Sequence, residues 1–170
     1  MVDKIFLVGL MGAGKTTIGK ILAKALNKSF VDSDREIESH TGATIPLIFE
    51  LEGEEGFRRR ESEMIDELTQ KHDLVLATGG GAVLKLENRK VLRERGTVIY
   101  LRASVDQLLE RTRMDKNRPL LQTEDPRAKL EELMQERDPL YKDVADIIID
   151  TGDTAVKQVV QDLIQRLEEL

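Results

Sequence analysis

The chain has no cysteine, which removes disulfides, thiolate-bound metals and a cysteine nucleophile together. Histidine is nearly as scarce, and His40 and His72 stand apart without forming a ligand cluster. A metal here is therefore expected to be a hard cation bound through oxygen. Aromatic residues make up only 4%, too few for a row of base-stacking platforms. No apolar run approaches the roughly 20 residues that span a bilayer. Residues 5–8 are too short a run for a signal peptide and lead straight into a glycine loop, so a cytoplasmic location is expected. Basic charge is also in deficit. A net charge of −6 and a pI near 5.1 disfavour sequence-independent nucleic-acid binding, which needs a positive surface.

What is present is 170 residues, 40% hydrophobic and 34% charged, the size of one domain that can bury its own core. Short aliphatic runs alternate with longer amphipathic stretches, the pattern of an α/β protein with a helix-covered parallel sheet. Strands are expected at 4–8, up to Phe30 and Val31, at 74–77, 97–101 and 147–149. The segment 33–71 is helical and charged, interrupted by Gly42, Pro46, Gly53 and Gly56, and is long enough to hold a substrate. A helix near 88–95 stops at Gly96, read as a C-terminal breaker. Ser104 with Gln107 forms a capping box for a helix to about Thr112. The polar stretch 113–125 reads as a mobile lid. A helix at about 126–137 and an amphipathic one carrying Val156, Val159, Val160, Leu163, Ile164 and Leu167 complete the chain.

The strongest signal is Gly9-Leu10-Met11-Gly12-Ala13-Gly14-Lys15-Thr16, which fits GxxxxGK[ST] between a strand and a helix. Its glycines let backbone N–H groups turn inward around phosphate oxygens, and the following helix presents its positive end. Lys15 is expected at the β- and γ-phosphates, and the Thr16 hydroxyl at Mg2+. GTPases, ATPases and small-molecule kinases all use this loop. A guanine-reading Asn-Lys-x-Asp is missing, since Asn27-Lys28 runs into Ser29-Phe30. The third strand ends in Thr78-Gly79-Gly80-Gly81 rather than in an aspartate, so the magnesium-side acid must come from elsewhere.

Asp32-Ser33-Asp34 follows the second strand, at the sheet edge where parallel strands present ligands. Asp34 is the candidate base and Asp32 the magnesium-side acid, although both also suit helix capping. In Gly56-Phe57-Arg58-Arg59-Arg60-Glu61 the helical turn of about 100° per residue keeps three arginines from entering one pocket. One of them can fork a carboxylate, and spacing leaves Arg58 and Arg59 both open. The triple glycine 79–81 permits a ligand to touch the backbone. Arg118, before Pro119-Leu120-Leu121, is either a solvated loop residue or a cation closing over phosphates. Arg137 can likewise serve a helix's carbonyl end.

These pieces, together with Tyr141, occur in an order and spacing that closely resemble shikimate kinase across nearly the whole chain. The resemblance implies one domain over 1–170 with a three-layer P-loop kinase fold and a five-stranded parallel sheet of order 2-3-1-4-5. It also implies a helical substrate-binding region at about 33–61 and a lid at about 112–125. ATP would be held by Gly12, Ala13, Gly14, Lys15, Thr16 and Thr17, with Arg118 on its phosphates. Arg111 is similar to the family's adenine-stacking arginine. Thr16, and Asp32 through water, would attend Mg2+. Asp34 would bind the acceptor hydroxyl and act as base, Arg58 and Arg137 would clasp the carboxylate, and Gly79, Gly80 and Gly81 would touch the ring. The implied catalytic set is Lys15, Asp34 and Arg118. The implied reaction phosphorylates the 3-hydroxyl of shikimate from ATP, by a monomer with no nucleic-acid or membrane partner. Two rivals are a kinase resembling gluconate kinase, opposed by Gly-Phe-Arg and the triple glycine, and a nucleotide switch without acceptor chemistry.

Overall fold

In a computed structural model of the chain, which describes residues 2–113 and 121–170, β1 (Lys4–Val8) lies at the centre of the sheet. Ile5, Phe6, Leu7 and Val8 are all completely buried. A strand that alternated apolar and polar residues could not meet that condition, so its continuous aliphatic run means both faces are covered. β3 (Leu74–Ala77) and β4 (Thr97–Arg102) flank it, with β2 (Ser29–Asp32) and β5 (Ile147–Asp150) at the edges. All neighbours run parallel, and the order is β2-β3-β1-β4-β5. The chain thus builds outward from β1 on one side through β2 and β3, then crosses to the other. The carboxyl ends of β1, β2 and β3 face the crevice that such a switch creates.

Helix α1 (Lys15–Ala25) buries Ile18, Leu22 and Ala23, packs on β2 and β3, and meets α7 (Val156–Glu168). On the sheet's other side α4 (Leu86–Arg95) and α6 (Pro126–Val144) pack against β4 and each other. Helix α5 (Val105–Thr112) opens with the Ser104–Gln107 capping box and leans on α6. Helices α2 (Ser33–Thr41) and α3 (Ile45–Leu68) pair beside the mouth of the crevice.

Three expectations need correction. The helix expected to end near Arg137 continues to Val144 with Pro139 inside it. A proline there removes one backbone hydrogen bond, but Arg137, Tyr141 and Val144 are all buried, and that packing carries the helix past the break. Of the expected interruptions in 33–71, Gly42 (φ 70°) ends α2 and Gly53 (φ 73°) kinks α3, whereas Pro46 sits in the first turn of α3 and Gly56 is helical and buried. Gly96 follows α4, but its φ of −165° is extended backbone rather than a left-handed cap.

The reason for glycine at 96 is space. A Cβ there would lie 2.6 Å from Phe6 Cε2 and 2.9 Å from the Lys4 carbonyl oxygen, and Phe6 is fully buried. Gly96→Ala is therefore expected to lower stability by about 1–3 kcal/mol through overpacking. Urea unfolding should show a lower midpoint at an unchanged slope; a midpoint equal to that of the parent chain would mean the start of β4 yields freely.

Candidate active site

The phosphate loop follows β1 and is shaped by where its carbonyls go. Gly12 (φ 85°) and Gly14 (φ 101°) adopt left-handed conformations that cost other residues energy. The Gly12 carbonyl accepts from Arg111 Nη1 at 2.9 Å, and the Ala13 carbonyl from Thr151 Oγ1 at 2.9 Å. Lys15 folds back so that Nζ donates to the carbonyls of Gly9 and Leu10. In a trans peptide the N–H points opposite to the C=O, so tethering the Ala13 carbonyl to Thr151 also fixes the direction of the Gly14 N–H. The start of α1 adds its unsatisfied donors and positive dipole end, which suits a polyphosphate.

A cavity of ≈ 400 Å³ lies over this loop, lined by Gly12, Ala13, Gly14, Lys15, Thr16, Thr17, Arg111, Thr112 and Thr151 among others. A second cavity of ≈ 420 Å³ is lined by Asp32, Asp34, Arg35, Glu38, Thr78, Gly79 and Gly80. The two share Met11, Lys15 and Thr16. A phosphoryl group held by Lys15 would therefore stand at the boundary between them, which is the arrangement in-line transfer requires.

Asp32 caps α2 and also reaches the phosphate loop. Its Oδ1 accepts from the backbone N–H of Asp34 and Arg35 as the N-cap of α2, while Oδ2 accepts from Thr16 Oγ1 at 3.0 Å. Asp34 is no cap; it sits inside the first turn of α2 and faces the second cavity. No cluster of three or more histidine or acidic residues that could cage a metal occurs among the described residues. One hydroxyl and one carboxylate do fit Mg2+ carried by a nucleotide, since that ion keeps several waters and takes phosphate oxygens for the rest.

Behind the second cavity lies a buried charge cluster. Arg58 is 9% exposed and Glu61 1%; Arg58 Nη1 donates to Glu61 Oε1 at 2.9 Å, and Nη2 reaches Glu54 at 3.3 Å. Arg59 points to solvent and Arg60 pairs with Glu52 at the surface, so the structure selects Arg58. Burial works against the Arg58 charge, but Glu61 and Glu54 outweigh it and hold its pKa above the ordinary value. The cost of burial falls on Glu61, whose pKa is raised above the ordinary carboxylate range and only partly drawn back by Arg58, Arg137 and Lys85. Arg137 is 2% exposed, and its Nε and Nη1 meet no hydrogen-bond acceptor. Arg58 is committed to Glu61 and Glu54, whereas Arg137 keeps two buried donors open, and buried donors of that kind call for an acceptor.

The triple glycine is the surface on which this cluster rests. A methyl built on Gly79 would lie 2.7 Å from both Asp34 Oδ1 and Glu61 Oε2, and one on Gly81 would collide with the Arg58 guanidinium. One on Gly80 would lie 3.4 Å from Arg137 Nη1. Sequence reasoning missed the partners that fix this segment. Ser33 Oγ accepts from Gly79 N–H at 3.1 Å, and the Tyr141 hydroxyl donates to the Gly80 carbonyl at 2.5 Å. Ser33 is marked only by its place between two aspartates; nothing local marks Thr151, 138 residues from the carbonyl it holds. Of the expected lid, residues 114–120 lie outside the described residues, and Arg118 is one of them.

Strand order and the loop after β1 place the chain among the P-loop kinases. Comparison with known proteins narrows that class. Residues 11–168 match the family model for shikimate kinase. A shikimate kinase of Ralstonia nicotianae is 61% identical over 98% of this chain and 88% of its own length. A shikimate kinase from Acinetobacter baumannii, solved in complex with shikimate, superposes with a TM-score of 0.97 at 52% identity over 99% of this chain and 94% of that one. The chain belongs to the shikimate kinase family. A gluconokinase from Sinorhizobium meliloti shares the fold alone, with a TM-score of 0.62 and 16% identity over 98% of this chain and 91% of that one.

Since Asp34 and Glu61 both press on Gly79, Gly79→Ala should push the two carboxylates apart without disturbing the sheet. We expect a folded protein, by circular dichroism, whose kcat/KM falls on the order of 100-fold, as for other displacements of about 1 Å. Activity within threefold of the parent chain would show that a side chain at 79 is harmless.

Proposed function

We propose that this chain transfers the γ-phosphate of ATP to the 3-hydroxyl of shikimate, giving ADP and shikimate 3-phosphate on the route to chorismate and the aromatic amino acids. The observation that carries this reading is the placement of Asp34 and Lys15 on one cavity with the open, buried guanidinium donors of Arg137 behind it. Hydroxyl, phosphate and carboxylate each have a matching group there, and the A. baumannii relative binds shikimate.

In this account Arg58 and Arg137 take the carboxylate, and the backbone of Gly79, Gly80 and Gly81 abuts the ring. Asp34 accepts the proton of the 3-hydroxyl as its oxygen bonds to the γ-phosphorus and the bond to the ADP oxygen breaks. Lys15 leaves its carbonyl partners to follow the charge of the moving group. Gly12, Ala13, Gly14, Thr16 and Thr17 hold the remaining phosphates, Arg111 offers the face of its guanidinium to adenine, and Arg118 closes over the phosphates from the lid. Mg2+, attended by Thr16 and through water by Asp32, neutralises phosphate charge when bound. Closing the lid over both ligands keeps water from competing for the phosphoryl group. The same reading takes the protein to be one domain, with acceptor region 33–61 and lid 112–125, working as a cytoplasmic monomer. Among the described residues no helix is long and apolar enough to cross a membrane.

The test is magnesium-dependent ADP release with shikimate, gluconate or a nucleoside monophosphate as sole acceptor. Release with shikimate alone is expected; release with none of them, despite tight ATP binding, would sink the assignment in favour of a nucleotide switch. Asp34→Asn should reduce kcat by about 10²–10⁴ while the ATP dissociation constant stays put. Near-normal turnover in that variant would remove Asp34 from the chemistry.

A further inference from the structure

Helix α6 carries more toward the glycine segment than Arg137. One turn further on, Tyr141 is completely buried, and its hydroxyl donates to the carbonyl of Gly80. The neighbouring carbonyls are held within the turn itself: that of Gly79 by Ala82 N–H at 3.0 Å and that of Gly81 by Leu84 N–H at 3.1 Å. The Gly80 carbonyl is thus tied across the fold by a side chain, 61 residues away in sequence. Burial raises the pKa of the Tyr141 phenol, so the hydroxyl keeps its proton and remains a donor. Its ring is itself located, with the Tyr100 ring centroid 4.8 Å away. Tyr100 in turn donates to Asp138 Oδ1 at 2.7 Å, and Asp138 pairs with Lys142.

A glycine peptide without such a tether has several orientations open to it. Fixing the carbonyl of Gly80 also fixes the N–H of Gly81, because the two share one planar trans unit and point opposite ways. Gly79 and Gly80 line the cavity with Asp34, and Gly80 lies against Arg137. We propose that Tyr141 is a positioning residue for the acceptor: through the Gly80 carbonyl it sets the backbone of 80–81 in the one orientation that meets the ligand, and it does so from the same helix that supplies Arg137. Tyr141 touches no reacting atom, so its effect falls on acceptor binding rather than on nucleotide binding. This inference rests on shikimate as the acceptor.

Two conservative variants separate positioning from mere packing. Tyr141→Phe keeps the ring and removes the hydroxyl, which bonds Gly80 and also sits against Arg137, so amide exchange at 80 and 81 is the readout specific to the tether; Tyr100→Phe removes a neighbouring hydroxyl bond and leaves Gly80 tethered. Calorimetric titration should show the shikimate dissociation constant rising about tenfold in Tyr141→Phe, the loss expected for one buried hydrogen bond, with ADP affinity unchanged. Tyr100→Phe should bind shikimate like the parent chain. In ligand-free protein, amide exchange at Gly80 and Gly81 should quicken in Tyr141→Phe alone. An unchanged shikimate constant in Tyr141→Phe, or equal losses in both variants, overturns the proposal. If the parent chain binds no shikimate, the substrate assignment fails, and the exchange rates at 80 and 81 still decide whether Tyr141 sets that backbone.

Discussion

Much of the acceptor site follows from one steric constraint, the absence of side chains at 79, 80 and 81. Four segments distant in sequence converge on that stretch: the phosphate loop at Met11, the start of α2, the middle of α3 and the middle of α6. Helices α2 and α3 bring polar groups into places where a Cβ would otherwise stand, Asp34 and Glu61 at Gly79 and Arg58 at Gly81, and α6 lays Arg137 against Gly80. Opposite charges can be brought this close only because the backbone between them is bare. The glycines themselves are steadied by turn hydrogen bonds and by Ser33 and Tyr141, which offsets the entropy that three flexible residues would lose on becoming ordered.

The phosphate loop answers a different demand. It must present N–H groups to an anion while leaving no buried carbonyl without a donor. Arg111 and Thr151 supply two of those donors from elements on the far side of β4, so the loop is a joint product of β1, α5 and the segment after β5. Lys15 supplies others and can exchange them for phosphate oxygens. Because Met11, Lys15 and Thr16 line both cavities, the two have a common wall.

The sequence revealed features set by local geometry. The aliphatic runs located all five strands, and Gly12, Gly14, Lys15 and Thr16 declared the phosphate loop because its spacing is its mechanism. Local signals misled where burial decides. Pro139 resembles a helix end, but the buried faces of Arg137, Tyr141 and Val144 override it. Gly96 resembles a cap, but it is demanded by Phe6, 90 residues earlier. Periodicity could not choose between Arg58 and Arg59, since both lie on a helix and only the placement of Glu61, Glu54 and the bare glycines distinguishes them. Strand order was legible only through family resemblance, because no local pattern states that β3 lies beside β1.

An acidic protein that binds two anions presents an apparent conflict that distance resolves. Most of the net charge of −6 is matched by the acidic excess of α3, whose acids are largely exposed, where ions screen it over about 8 Å at physiological ionic strength. The charges that a ligand meets are few and partly or wholly enclosed. Lys15, Arg58 and Arg137 stand against Asp32, Asp34 and Glu61, with the positive end of α1 added to the cationic side. Glu61 is committed to Arg58, and Asp32 to Thr16 and the cap of α2. Arg137 retains buried donors without acceptors, in surroundings where solvent cannot supply them. Local burial rather than overall charge therefore decides where the crevice leaves cationic donors open to an anion.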